Sequence, residues 1–149
     1  MDRKHLKGTR YFEGVLQLRN PTKEVVEFVK NDVAGQPESK GIFINKEEKL
    51  NNGLDLYITS KKYIRNIGKK LQLRFGGQLI ESAKLFTKDW RTSKNVYRTN
   101  VLFRMPNFKK GDVISWKGME IKVKNIGKKI FGVDVKTGRK YRIDFKEVV

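Results

Sequence analysis

The sequence predicts an α+β fold in two parts: a two-layer β-α-β-β-α-β-β module over residues 1–105, then a small all-β, SH3-like barrel over residues 106–149. Three observations predict it. Two stretches with apolar residues at helical spacing are interleaved with stretches of strand length and strand content, the pattern of helices packed on a sheet. After Met105-Pro106-Asn107 the helical spacing stops, and short strand-like stretches follow, punctuated by glycine turns at Lys117-Gly118 and Thr137-Gly138. The 149 residues are 38% hydrophobic, with nine Phe, five Tyr and two Trp, which suffices to bury a core.

Residues 12–19 have the length and content of a strand, with an imperfect alternation that sets Val15 and Gln17 against Leu16 and Arg19. Asn20-Pro21 then reads as an N-cap followed by proline at the first helical position. Val25, Val26, Val29 and Val33 recur at helical spacing with Phe28 beside them, while Lys23, Glu24, Glu27 and Lys30 point elsewhere. This outer face is mixed in sign, so the helix reads as scaffold. Gly35-Gln36-Pro37 breaks it, residues 41–45 make a short strand, and residues 46–53 a polar turn. Residues 54–59 alternate Leu54, Leu56 and Ile58 inward against Asp55, Tyr57 and Thr59 outward, a half-buried strand.

Ser60 caps a second helix over residues 61–75, with Ile64, Ile67, Leu71 and Phe75 as its apolar stripe. Lys62, Arg65 and Lys69 fall on the opposite side, flanked by Lys61, Lys70 and Arg74, and the helix holds no acidic residue. A solvated helix usually mixes signs to gain i,i+4 pairs, so this face lacks a partner charge that a phosphate backbone would supply. Gly76-Gly77 ends the helix. Residues 79–87 and 96–105 follow as a hairpin joined by residues 88–95, where Lys88, Arg91 and Lys94 surround Trp90 and the returning strand adds Tyr97 and Arg98. Such a tip combines cations for phosphate with a ring that stacks on an unpaired base; the alternative is that Trp90 folds back onto the core. A sheet with both helices on one face leaves its other face open. The barrel strands are expected over residues 113–116, 119–126, 129–135 and 139–144, with a basic rim of Lys109, Lys110, Lys128, Lys129, Arg139, Lys140 and Arg142.

Charge divides the chain. Of 34 basic and 16 acidic residues, net +18, residues 1–60 hold 10 and 9, whereas residues 61–149 hold 24 and 7. A compact surface carrying +17 repels itself unless a polyanion is near. Charge kept only for solubility is usually smaller and mixed in sign.

Other chemistries find little support. There is no cysteine, hence no disulfide or thiolate metal site. His5 is the lone histidine, in a leader expected to be mobile. Asp55, Asp89, Asp112, Asp134 and Asp144 are scattered, and Asp112 after Gly111 reads as a turn residue. Gly68-Lys69-Lys70 and Gly127-Lys128-Lys129 mimic the end of a phosphate loop, but Tyr63 and Lys122 stand where its first glycine belongs. No apolar run of membrane-spanning length and no apolar signal-peptide core occur. The expectation is a cytoplasmic, monomeric protein with no catalytic residue, no metal, no cofactor and no small-molecule substrate.

Leu16-Gln17-Leu18-Arg19-Asn20, the stretch from Gly53 to Ser60, the Gly76-Gly77 helix end, Glu81-Ser82-Ala83-Lys84-Leu85 and the stretch from Phe108 to Ile114 together resemble the archaeal branch of the nonsense-mediated mRNA decay protein 3 family. In eukaryotes that family is an adapter for assembly and export of the large ribosomal subunit; the resemblance implies a role on the large subunit here, without nuclear export. Residues 109–126 and 133–141 also resemble the N-terminal barrel of translation initiation factor 5A, which implies a barrel near the exit-site side of the large subunit, beside the L1 stalk. Family members normally carry zinc-binding cysteine pairs ahead of this region; their lack here implies a shortened relative or a fragment. The loop of residues 125–129 is too short for Lys128 or Lys129 to inherit that factor's modified lysine.

The function expected is therefore non-enzymatic binding of rRNA on the large ribosomal subunit, in assembly or quality control. A general structured-RNA adapter linked to transcription or translation is the alternative. A metal-dependent RNA-processing nuclease, with Asp55, Asp112, Asp134 and Asp144 converging, stands behind both.

Overall fold

The computed structural model describes residues 3–89 and 91–148, Asp89 by its backbone alone. The first unit runs β1 (Gly14–Arg19), α1 (Lys23–Ala34), β2 (Ile44–Leu50), β3 (Gly53–Ile58), α2 (Lys61–Phe75), β4 (Gln78–Asp89) and β5 (Lys94–Arg104). The second runs β6 (Val113–Trp116), β7 (Met119–Ile126), β8 (Ile130–Asp134) and β9 (Lys140–Ile143). The α+β class and the expected order of elements hold.

The first sheet has the order β2-β3-β1-β5-β4. β1 is antiparallel to β3 and parallel to β5, and β4 is antiparallel to β5. β3 and β4 therefore run in the same direction with two strands between them, joined by α2, which is a split βαβ unit. Gly14, Leu16 and Leu18 alternate cleanly toward the helices, so Leu18 belongs with Leu16, and Arg19 with Val15 and Gln17 on the other face. Leu54, Leu56 and Ile58 of β3 and Val101 and Phe103 of β5 join them. Val25, Val29 and Val33 of α1 and Ile64, Ile67 and Leu71 of α2 close this core from one side. Gly68 faces it too: a Cβ there would lie 2.8 Å from Val101 Cγ1, so the glycine lets α2 sit close on β5.

Four expectations need correction. The cap of α1 is Thr22, whose Oγ1 accepts from the Val25 N–H at 3.3 Å, and Pro21 precedes the helix. Asn20 instead takes a left-handed turn, φ 49°, which asparagine tolerates. The expected polar turn over residues 46–53 is mostly strand: β2 extends to Leu50, leaving only Asn51-Asn52 as the turn. An edge strand exposed along residues 46–50 shows no apolar alternation to reveal it, and its Lys46, Glu47, Glu48 and Lys49 guard the edge against pairing with another chain. Asp55 lies on the outward face as expected but is buried there against Arg19, and Thr59, expected outward, is buried where its hydroxyl donates to the Gly41 carbonyl and accepts from the Phe43 N–H at 2.9 Å. The leader is tied down, because the Asn45 amide donates to the Leu6 and Tyr11 carbonyls at 2.9 and 2.8 Å and accepts from the Gly8 N–H at 2.9 Å.

The hairpin is longer than expected. Its strands reach Asp89 and Lys94, and the bulge at Phe86 shifts their register. β1 pairs with β5 only from Thr99 onward, so residues 84–89 and 94–98 project beyond the sheet as a two-stranded arm.

The second sheet is an antiparallel meander, β6-β7-β8-β9, around Trp116, Ile121, Val123, Ile130, Ile143 and Phe145. Trp116 of β6 and Tyr141 of β9 meet edge to face with centroids 5.2 Å apart. Three strand spacings of about 4.8 Å would hold those edges about 14 Å apart in a flat sheet, so the sheet curls, barrel-like. The two units touch: the Gly77 N–H donates to the Gly127 carbonyl at 3.2 Å, and the Asn20 amide to Asn107 Oδ1 at 2.9 Å.

Candidate nucleic-acid interface

α2 exposes Lys61, Lys62, Arg65, Lys69, Lys70 and Arg74. The helix has no acid of its own, but tertiary neighbours supply two. Glu81 of β4 holds Arg65 Nε at 2.7 Å, and Asp32 of α1 lies 3.5 Å from Lys70 Nζ. Arg74 packs over the Phe28 and Phe75 rings, 5.1 and 5.7 Å from their centroids. The face expected to be wholly unrelieved is thus relieved at these positions, because helical periodicity counts only charges within the helix. Lys61, Lys62 and Lys69 keep no ion-pair partner among the described residues. Lys62, Lys69 and Lys70 line a groove of about 610 Å³ with Lys40, Tyr63 and Asn66. Tyr63 donates its hydroxyl to Asp32 Oδ2 at 2.5 Å; burial first, then this bond, pushes its phenol far above the ordinary tyrosine range, so it stays neutral. Leu73, 79% exposed, shares this helix face with Lys62 and Lys69.

The arm carries the second cluster. Lys88 and Lys94 lie in its strands rather than in a loop, and Arg91 follows in the turn. Trp90 lies outside the described residues. Arg98 does not reach outward: its guanidinium sits between the Phe12 and Phe86 rings, 3.7 and 3.4 Å from their centroids, and its Nε–H donates to the Phe12 carbonyl at 3.2 Å. Burial lowers its pKa, and its visible work is to fasten the arm to the leader.

In the second unit Lys109, Lys110, Lys128, Lys129, Arg139, Lys140 and Arg142 are all exposed. Arg139 lies over Tyr141 and Arg142 over Phe131, at 5.6 and 5.5 Å from the centroids. Because Gly77 binds Gly127, the Lys128-Lys129 turn is brought to the C-terminal end of α2, where the helix dipole is negative. Cations of the two units therefore adjoin.

A family model described as NMD3, second domain, matches residues 11–105. The chain belongs to the NMD3 family. The match spans β1 to β5 and ends at Met105, whose N–H donates to the Arg19 carbonyl at 3.0 Å before Pro106 leads into the second unit. The NMD3 family is linked to the large ribosomal subunit and to RNA binding. Among curated proteins none matches the chain. No helix among the described residues is long and apolar enough to cross a membrane.

Among the exposed cations of this NMD3-family chain that the expected rim leaves out are Lys122 and Lys124. Lys122 stands across from Val133, which in turn faces Lys140, so Lys122 and Lys140 share one face of the second sheet. Lys124 is exposed beside them. The alternation of Lys122 and Lys124 with Ile121 and Val123 was the signal that marks both as outward. The acids sit apart in local roles. Asp112 Oδ2 accepts from the Lys109 N–H at 2.8 Å, Asp134 Oδ1 from the Lys136 N–H at 2.9 Å, and Asp144 Oδ1 from the Lys146 N–H at 3.1 Å. Among the described residues no three metal-ligating side chains gather.

Proposed function

We propose that this chain is a non-enzymatic RNA-binding factor of the large ribosomal subunit, in its assembly or quality control, which grips rRNA by the cations of α2, the arm and the second sheet. The observation that carries the proposal is where ion pairs form. In residues 1–60 most basic groups near an acid are matched, as in Arg3–Glu13, Lys7–Glu38, Arg19–Asp55, Lys23–Glu27 and Lys30–Glu47. In the second unit Lys117–Glu147 is the one pair among the described residues, and its outward cations stand unanswered. Unanswered charge on α2 and on the second sheet suits a polyanion, since phosphates release counterions as they dock. The curled second sheet serves in this reading as a factor-5A-like barrel that extends the grip.

The test is sedimentation of the purified chain with large subunits, small subunits and an unrelated structured RNA over a salt series. Preferential binding to large subunits, weakening steeply with salt, is expected. Equal binding to all three would favour a general RNA adapter, and metal-dependent cleavage of the rRNA would replace the proposal with a nuclease.

A further inference from the structure

The face of the first sheet turned away from the helices is not a plain surface. A cavity of about 380 Å³ opens on it, at the small end of ligand-pocket sizes. Its floor follows from strand register: Tyr57, Val15 and Asn100 form one cross-strand row, and Asp55 and Gln17 begin the next. Phe12 and Phe86, clamped on either side of the Arg98 guanidinium, form a wall, and the Phe12 ring meets Tyr57 edge to face at 5.0 Å.

The polar groups in this cavity are unspent. Asp55 gives Oδ1 to Arg19 at 2.7 Å, but Oδ2 makes no hydrogen bond among the described residues. Neither the Gln17 nor the Asn100 amide makes one either, although both residues are half-buried. Both amides open to solvent and are free to meet a ligand. Asp55 and Asn100 stand two strand spacings and one row apart, about 12 Å, with Gln17 on the strand between.

We propose that this cavity takes a single unstacked RNA base, guanine before the others. The inference rests on the RNA-binding reading above and deepens it. Aromatic walls accept a base face, and amide side chains read a base edge. The carboxylate selects. The Asp55 carboxylate is paired with Arg19 through Oδ1, and its Oδ2 is left as an acceptor in the cavity that demands a hydrogen-bond donor. Guanine presents adjacent N–H donors on its pairing edge, whereas uracil presents one between two carbonyls. Lys46, 4.9 Å above the Tyr57 ring, and Lys84 on the cavity rim stand where the flanking phosphates leave.

The experiment uses the ¹⁵N-labelled full chain, titrated separately with GMP, AMP, CMP and UMP while amide signals are followed by NMR. Saturable movement of the Gln17 and Asn100 side-chain amide signals is expected with GMP, with UMP at least tenfold weaker. Asp55→Asn should erase that preference, and Asn100→Ala should weaken GMP about tenfold while keeping the wild-type spectrum elsewhere. In parallel, Asn100→Ala should bind large subunits more weakly at every salt concentration with the salt slope unchanged, since it removes no phosphate contact. If all four nucleotides move only the lysine-rich surfaces, the base site is wrong while the phosphate grip stands. If GMP leaves Gln17 and Asn100 still and the chain ignores subunits as well, both readings fall.

Discussion

The N–H of Gly77 donates to the carbonyl of Gly127 at 3.2 Å, tying the end of α2 to the β7–β8 turn. Gly76 makes this possible twice over. Its φ of +74° is strained for other residues, and a Cβ on it would lie 2.1 Å from the Ile126 carbonyl oxygen. Gly76→Ala is therefore expected to cost about 2 kcal/mol by denaturant titration, and to let the two sheets tumble separately in NMR relaxation. Unchanged relaxation would mean that the Asn20–Asn107 contact holds the units together by itself.

Lys61, Lys62 and Lys69 differ from Arg65 and Lys70 in that their side chains make no ion pair among the described residues. Changing the first three to Glu should flatten the dependence of log affinity for large subunits on log salt by about 2, near 0.7 per phosphate lost for single strands. Arg65→Ala with Lys70→Ala should flatten it less, because those cations already serve Glu81 and Asp32. Equal effects would show that the tertiary pairs open on binding.

Arg19 and Asp55 are both about nine-tenths buried at the side chain. Losing one partner strands a charge, so Arg19→Met should cost about 3 kcal/mol. Adding Asp55→Leu should recover part of that loss in a double-mutant cycle. Additive costs would remove the pair from the account of the sheet.

Two phenols carry a pH dependence. Burial, then the bond to Glu13, lifts Tyr11 to about 12, and Tyr63 is displaced further in the same direction. An unfolded tyrosine ionises near 10. The stability these groups contribute is present below about pH 10 and lost as pH rises through their folded values, since the unfolded chain releases those protons first. Tyr63→Phe should remove up to about 1.4 kcal/mol per pH unit from the alkaline slope above pH 10. Parallel slopes for variant and wild type would refute the assignment.

Arg98 between Phe12 and Phe86 holds the base of the arm. Arg98→Ala should speed hydrogen exchange in residues 84–88 and 94–98 by at least tenfold and leave Val101 and Phe103 protected. Uniform exchange across β5 would mean that the arm does not move on its own.

The order of elements was legible because valines and isoleucines at helical spacing, and the glycine turns of the second unit, are local signals. The reach of β2 through residues 46–50 was not, since an edge strand built of Lys46, Glu47, Glu48 and Lys49 satisfies its backbone against β3 without burying a periodic face. The cationic surface was legible as a sum of charges. Which members are spent was not: Glu81 meets Arg65 and Phe12 meets Arg98 only through the sheet. The cavity around Asp55 was hidden for the same reason, as its floor comes from three strands that the chain visits far apart.

That wide spacing governs how the molecule is made. β1 lies in the middle of its sheet, and its parallel partner pairs Thr99 with Gly14, 85 residues later. At synthesis rates of about 5–20 residues per second, the later strand emerges roughly 4–17 s after the earlier one. Until then the edge of β1 that β5 will cover has no partner strand. The strand at the centre of the finished sheet is thus the one exposed longest to a chaperone or to a wrong neighbour.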